Sequence, residues 1–207
     1  MKIQTAPLGE LAANFYLIPD KETNELIAID PGADSQIAIE LIKDTGAILK
    51  YIILTHAHAD HIGALDDLKN EFDVPVVIGA DDLSSLNDPY MTLCSAFGDE
   101  APHTRADIAV NDGDTLPFGK TTLKFIHTPG HTNGSICIQL GDCLFSGDTI
   151  FSSSIGRCDF PGGSFDKINS SIKNKIYTLD DATTIYPGHG NPTTVGFEAK
   201  NNPFVQR

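Results

Sequence analysis

Residues 51–61 read Tyr51-Ile52-Ile53-Leu54-Thr55-His56-Ala57-His58-Ala59-Asp60-His61, an apolar run followed at once by four side chains able to bind metal. An unbroken apolar run of this kind fits a strand buried on both faces. His56 and His58 stand two apart, so on a loop both can turn toward one point and chelate one ion. Asp60 and His61 follow as a helix begins, and they can face a second ion from the neighbouring side. Asp60 has a plainer alternative role as a helix cap. Four potential ligands packed so closely are a stronger signal than any solitary histidine.

On the N-terminal side, Asn14 to Ile18 and Leu26 to Ile29 are short apolar runs joined by the polar turn 19–24, a hairpin. Asp30-Pro31-Gly32 ends the second run. Ile37, Leu41 and Ile42 then recur at helical spacing up to Gly46. On the C-terminal side, Ile62, Leu65, Leu68 and Phe72 predict a helix, and Val74 to Ile78 a strand. Residues 81–106 show no period, and a connection that long is commonly functional. Strands are expected at Thr121 to Ile126, Ser135 to Leu140, Cys143 to Ser146 and Thr183 to Tyr186. A helix is expected over Phe165 to Leu179, and a short one around Glu198 to Lys200. The β-α-β-α-β alternation of the first half puts helices against a mixed sheet. With no linker and no repeat in view, residues 1–207 are expected to form one domain.

Three further residues share one context, a strand end, then glycine, then a ligand type. They are His131 in Pro129-Gly130-His131, Asp148 in Ser146-Gly147-Asp148 and His189 in Pro187-Gly188-His189. Glycine lets the chain turn sharply and lets backbone approach a site closely. The other two histidines fall outside these segments. His103 lies in the irregular loop and reads as exposed, and His127 reads as a packed residue near the site. The cysteines Cys94, Cys137, Cys143 and Cys158 form no C-x-x-C pair, so they read as free thiols and not as a zinc ribbon.

The formal net charge of −14 repels nucleic acid, and no stretch is long and apolar enough to span a bilayer. The start, Lys2-Ile3-Gln4-Thr5, lacks the pattern of a secretory leader, and a cytoplasmic protein is expected. An anionic small molecule stays compatible with this charge, because a metal centre inverts the local field.

Taken together, Thr55 to His61, Gly130-His131, Gly147-Asp148 and Gly188-His189 resemble the successive motifs of the metallo-β-lactamase superfamily, from about Asn14 to Phe204. Phe151 and Gly156-Arg157 after Asp148 make the resemblance greatest to the small glyoxalase II-like, or hydroxyacylglutathione hydrolase-like, branch. The resemblance implies a four-layer αββα sandwich of two mixed sheets flanked by helices. It implies that His56, His58 and His131 hold one metal, that Asp60, His61 and His189 hold another, and that Asp148 bridges them. Two divalent ions are implied, zinc first, with iron or manganese able to use the same donors. Asp30, in Ile29-Asp30-Pro31-Gly32, matches a further motif of the family and is expected beside the site, orienting a ligand; a turn-forming aspartate before proline is the alternative.

Such a pair of ions lowers the pKa of water and supplies a nucleophile at neutral pH without serine or cysteine. Asp60 and Asp148 are the expected catalytic carboxylates, with Asp60 orienting the nucleophile. Hydrolysis of a small-molecule thioester, S-acyl (hydroxyacyl) glutathione first, is the expected reaction. Arg157 is a candidate for binding a substrate carboxylate, as its planar fork suits that group. Only 18 residues follow His189, so the helical C-terminal domain that completes the glutathione pocket of full-length glyoxalase II is expected to be absent. Residues 81–106 would then supply part of the wall.

Within the same superfamily, a mononuclear iron persulfide dioxygenase also carries the Gly-Arg-x-Asp-Phe run seen here as Gly156 to Phe160. A β-lactamase fits less well, because a bridging Asp148 departs from its usual pattern. A non-catalytic metal-binding sensor is the alternative from another class. Oligomeric state and source are not legible in the chain.

Overall fold

The computed structural model describes residues 3–207. Six strands form the first sheet in sequential order: β1 (Gln4–Leu8), β2 (Ala13–Asp20), β3 (Glu25–Ile29), β4 (Ile48–Ile53), β5 (Val76–Gly79) and β6 (Ile108–Val110). The pairs β1–β2 and β2–β3 are antiparallel, and the ladders from β3 to β6 are parallel. The second sheet takes β7 (Thr115–Phe118), β8 (Thr121–His127), β9 (Ile136–Leu140) and β10 (Cys143–Gly147). The short ribbon β11 (Ile150–Phe151) and β12 (Ser154–Ile155) stands apart from it. With β13 (Thr184–Pro187) and β14 (Thr193–Thr194), the second sheet has the order β14-β13-β10-β9-β8-β7. The helices are α1 (Ser35–Asp44), α2 (Ala59–Ile62), α3 (Leu65–Phe72), α4 (Cys94–Phe97), α5 (Phe165–Asn174) and α6 (Val195–Asn201).

The period-two alternation of β2 sorts its side chains between two cores. Phe15 and Leu17 point outward to Ile42, Leu65 and Leu68 of α1 and α3. Tyr16 and Ile18 point inward to Phe125, Ile138 and Phe145 of the second sheet. On the far side, Ile126, Leu144 and Ile185 meet Ile168, Ile172 and Val195 of α5 and α6. Helix, sheet, sheet and helix are therefore stacked in four layers, with three apolar seams. Both faces of the central strands are buried, which is why they read as unbroken apolar runs.

Sequence and structure differ where tertiary contacts override local periodicity. The helix expected across Ile62 to Phe72 is two helices. The chain breaks because the Gly63 and Ala64 N–H groups donate to the Gly32 and Pro31 carbonyls instead of continuing a helical ladder. A β-carbon on Gly63 would stand 2.4 Å from the Gly32 carbonyl oxygen, so the two segments touch through backbone. The helix from Phe165 ends at Asn174, and Ile176–Thr178 continues as a 3₁₀ turn. Strands β1, β6 and β7 and the ribbon β11–β12 have no counterpart in the sequence reading. The segment 81–106 carries the short helix α4 and begins in a 3₁₀ turn, Ala80–Asp82. Among the described residues no helix is long and apolar enough to cross a membrane.

Candidate metal centre

The segment 54–61 leaves the end of β4, and His131, Asp148 and His189 follow β8, β10 and β13. All seven side chains meet at one edge of the sandwich. The first sheet reaches across to hold the last of them. The Asn14 N–H donates to the Gly188 carbonyl, and the Tyr16 hydroxyl donates to the Pro187 carbonyl.

Four of the five imidazoles have their outward nitrogen committed. His61 Nδ1 donates to Asp30 Oδ2 at 2.9 Å, and His131 Nδ1 donates to the Arg157 carbonyl at 2.8 Å. His189 Nδ1 donates to the Leu11 carbonyl at 3.1 Å. The Thr55 hydroxyl donates to Asp30 Oδ2 at 2.6 Å, so its oxygen accepts from His56 Nδ1 at 3.0 Å. Each bond commits the Nδ1 side of its ring and turns Nε2 inward. His58 is turned the other way: its Nδ1 faces His131 Nε2 at 2.8 Å, and its Nε2 is buried without a partner.

The inward atoms form two half-sites joined by one carboxylate. His56, His58 and His131 converge in one set, and Asp60, His61 and His189 in another, with ligand atoms within 4.8 Å of one another in each. Asp148 reaches both: Oδ2 lies 3.5 Å from His131 Nε2 and 3.7 Å from His189 Nε2, and Oδ1 lies 3.4 Å from His61 Nε2. Asp60 Oδ2 is 3.1 Å from His189 Nε2, and Asp60 caps no helix by its side chain.

This donor set fits divalent cations. His131 Nε2 and His56 Nε2 stand 3.2 Å apart, and the outward protons of both rings are spent elsewhere. Two lone pairs at that distance repel unless a cation sits between them. Asp148 Oδ1, buried with no hydrogen-bond donor, makes the same demand. Burial and the neighbouring imidazoles push His56 well down and His58 to about 3, so that half presents neutral nitrogens. Burial alone would also lower His61, but the Asp148 and Asp30 carboxylates outweigh it and hold it well above the ordinary histidine value. Burial opposes ionisation of Asp148 too, and His61, through its charge and its hydrogen bond, leads the neighbouring groups that overcome it and keep it ionised.

Arg157 contributes its backbone carbonyl to His131. Its guanidinium pairs with Asp159, with Nε 2.9 Å from Oδ1 and Nη2 2.6 Å from Oδ2, and lies 4.0 Å over the Phe160 ring. Phe160 in turn sets its ring at a steep angle to those of His58 and His131. Phe151 does the same beside His189. Asp60 also forms part of the wall of a cavity of about 850 Å³, bounded by Leu11, Ile62 and Phe97 and rimmed by Glu10, Asp34 and Asp99. Residues 94–103 supply one side of that cavity. His103 stands exposed there, 86% open to solvent. His127 lies outside the cluster, with Nε2 bonded to the Asn133 carbonyl. The four cysteines are free, three buried and Cys158 half-buried.

The sequence reading assigns neither Phe151 nor Phe160 to this surround, nor the carbonyls of Leu11 and Arg157. Phe160 had a signal in the Gly-Arg-x-Asp-Phe run. The carbonyls had none, because every residue carries one.

Fold and donor set define a metal-dependent hydrolase-type protein, and the chain belongs to the metallo-beta-lactamase superfamily, whose family model matches residues 8–189. The chain is 34% identical to a protein of Haemophilus influenzae named hydroxyacylglutathione hydrolase GloC, over 99% of this chain and 98% of that one. It is likewise 34% identical to the probable metallo-hydrolase YqgX of Bacillus subtilis, with the same coverage. Among solved structures it is similar to BLEG-1 B3 metallo-beta-lactamase, with TM-score 0.94 and 35% identity over the whole of both chains. TTHA1623 in a di-iron-bound form gives 0.87 and 34%, over 98% of this chain and 100% of that one. ETHE1 from Myxococcus xanthus gives 0.84 and 28%, over 98% and 84%.

Proposed function

We propose that the chain is a glyoxalase II-like thioester hydrolase, acting as one domain on an S-acyl thiol such as a hydroxyacyl glutathione. The observation that carries this reading is the pair of half-sites shared through Asp148, a donor set built for two divalent ions with zinc as the first candidate. The likeness to a protein named hydroxyacylglutathione hydrolase supports the choice of thioester. Two ions bound there supply activated water at neutral pH and an electrophilic surface for the carbonyl oxygen.

The protein's own residues do the rest. Asp30 and the carbonyls of Leu11 and Arg157 hold imidazoles in the ligating tautomer. Asp60, ionised and part of the wall of the adjoining cavity, is placed to accept a proton from attacking water and to orient it. Phe151 and Phe160 restrict water on either flank and give the acyl chain an apolar surface. The ring of Phe160 also carries the Arg157 guanidinium, which is placed to meet a substrate carboxylate once Asp159 is displaced.

Hydrolysis of S-lactoylglutathione by protein of measured metal content tests the reading. Turnover with about two ions per chain is expected. Two ions with no thioester turnover would redirect the search to other acyl bonds, and a β-lactam belongs in that panel because of the BLEG-1 likeness. One specific observation favours a second reading: the Gly156 to Phe160 run together with the likeness to ETHE1 points to persulfide oxidation by a single iron. One iron per chain and oxygen consumption with a glutathione persulfide would put that reading first.

A further inference from the structure

A second buried carboxylate, outside the ligand set, stands behind the first half-site as Asp30 stands behind the second. Asp82 ends the 3₁₀ turn that follows β5 and is 1% exposed. Its Oδ2 accepts the Thr132 hydroxyl at 2.6 Å, and its Oδ1 accepts the Gly134 N–H at 2.8 Å. Thr132 is the residue after His131, and its hydroxyl oxygen also meets Ser135 Oγ at 2.7 Å. The Ala57 N–H, between His56 and His58, acts on the same carboxylate. One side chain therefore binds the loop that carries His131 and lies beside the one that carries His56 and His58. Among the described residues its hydrogen-bond donors, the Thr132 hydroxyl and the Gly134 N–H, are all neutral.

The backbone is shaped around this grip. A β-carbon on Gly134 would stand 2.1 Å from the Asp82 amide nitrogen and 2.7 Å from its carboxyl carbon. A β-carbon on Gly79 would stand 2.0 Å from the Gly134 carbonyl oxygen. Both glycines let the 79–82 segment lie against the 132–135 loop without side chains between them. Burying a carboxylate is costly, and apolar packing would join two loops more cheaply. What apolar packing lacks is direction: it cannot fix the angle of a hydroxyl and an amide at once.

We propose that Asp82 is the positioning residue of the His56–His58–His131 half-site, setting the separation of its two loops and hence the affinity of that half for its ion. It touches no ligand nitrogen and takes no part in proton transfer. This rests on the two-ion reading above, but it divides the centre in a way that reading does not require. Asp82 bears on the first half alone, whereas Asp30 reaches His61 directly and His56 through Thr55.

Competition titration of zinc against a chromophoric chelator tests it, with His58→Ala and His189→Ala as references for loss of each half. Wild-type zinc content by itself tests the two-ion reading. The ratio between variant and wild type tests Asp82. Asp82→Ala is expected to keep one ion at wild-type affinity and to bind the other about tenfold or more weakly, a typical effect of outer-sphere partners. Adding Asp82→Ala to His58→Ala should change little further, and adding it to His189→Ala should remove the remaining tight ion. Gly134→Ala keeps the carboxylate but pushes it from its seat, and the same half-site should weaken. Thermal melting accompanies each titration. Two ions at wild-type affinity in Asp82→Ala would overturn the proposal. So would equal weakening of both halves in a protein that still melts cooperatively. If Asp82→Ala fails to fold, Gly134→Ala decides by the same criterion.

Discussion

Asp30 and His61 are joined by a 2.9 Å hydrogen bond in which the carboxylate of a residue at φ 53° accepts from a fully buried imidazole. The same carboxylate accepts the Thr55 N–H at 2.7 Å and the Thr55 hydroxyl at 2.6 Å. One side chain in the left-handed region thus fixes His61 directly and His56 through Thr55. Asparagine tolerates that backbone region as well as aspartate does, so Asp30→Asn changes the acceptor and leaves the turn. Its amide nitrogen would oppose the Thr55 N–H if it took the place of Oδ1, or both the Thr55 hydroxyl and the His61 N–H if it took that of Oδ2, donor against donor. Zinc affinity is expected to fall by roughly 10- to 100-fold with a modest change in melting temperature. Asp30→Ala leaves three buried donors unpaired and should cost at least about 3 kcal/mol, read by urea unfolding. An Asp30→Asn protein with wild-type zinc affinity would exclude the positioning role.

Gly188 sits where the second half-site meets the bridge. A β-carbon there would stand 2.1 Å from Asp148 Oδ1 and 2.8 Å from His61 Cε1. Gly188→Ala is therefore expected to displace Asp148, which serves both halves. Activity should fall by roughly 100-fold or more, the scale set by misplacing catalytic groups by about 1 Å. Zinc content should drop at both halves, in contrast to the half-selective loss expected of Asp82→Ala. Metal analysis of the purified variant separates the two patterns.

Much of this centre is legible in the chain because its ligands follow strand ends and three of them follow a glycine. The apolar run ending at Leu54 marks a strand buried on both faces, and the histidines begin where it stops. The close approaches at Gly147 and Gly188 show what those glycines are for: added β-carbons would strike the Thr55 hydroxyl at 2.3 Å and Asp148 Oδ1 at 2.1 Å. Other features escaped for physical reasons. β1 is short, contains Pro7 and alternates half-exposed and exposed positions at the sheet edge, so it lacks an apolar run. The break at Gly63 depends on the carbonyls of Gly32 and Pro31, more than 30 residues earlier in sequence, which no local period reports. Asp82 looks like any acidic loop residue until the 132–135 loop is laid against it. The four-layer order itself came from resemblance, since alternation shows that β2 has two buried faces but not what covers each.

Metal removal should be felt in stability as well as in turnover. Inward lone pairs and an unpartnered Asp148 oxygen leave the ion-free centre repulsive. A ligand present at about 100 times its dissociation constant adds about 2.7 kcal/mol of stability. For a chain of this size each kcal/mol shifts melting by about 2–4 °C. Dialysis against a chelator is expected to lower the melting temperature by about 10 °C, with zinc restoring it together with activity. A chelated protein that keeps its melting temperature and its full activity would exclude a metal-dependent reaction.

The cavity wall carries its own pH dependence through Asp66, whose carboxylate accepts the His103 N–H at 2.9 Å and the Thr104 N–H at 2.8 Å. Burial would raise its pKa, but these donors outweigh burial and hold it below the ordinary aspartate value. A depressed folded-state pKa means stability that is present above the unfolded value of about 3.9 and lost as pH falls through the folded value. Asp66→Asn keeps the shape and removes the charge. At pH 7 it should be less stable than wild type by about 1 kcal/mol, discounted for partial exposure. That gap should close as pH falls below 4. Paired urea unfolding at pH 7 and at pH 3.5 checks the sign, and a gap that widens in acid would reverse it.

Arg157 and Asp159 set the terms on which a carboxylate-bearing substrate can be recognised. The guanidinium is 64% exposed, stacked on Phe160 and already paired with Asp159. A substrate carboxylate must therefore exchange with Asp159 and does not meet a free cation. An exposed pair of this kind is worth at most about 1 kcal/mol, so the exchange is cheap but measurable. Asp159→Asn should lower KM for S-lactoylglutathione by a few-fold and leave kcat nearly unchanged, because the ion binds nothing at the reacting atoms. Arg157→Ala should raise KM, again with a small effect on kcat, and a neutral acyl thioester should feel neither change. The carbonyl of residue 157 still orients His131 in the alanine variant, so metal content should hold at its wild-type value. If Arg157→Ala leaves KM unchanged for the carboxylate-bearing thioester, the arginine acts only as a lid on Phe160.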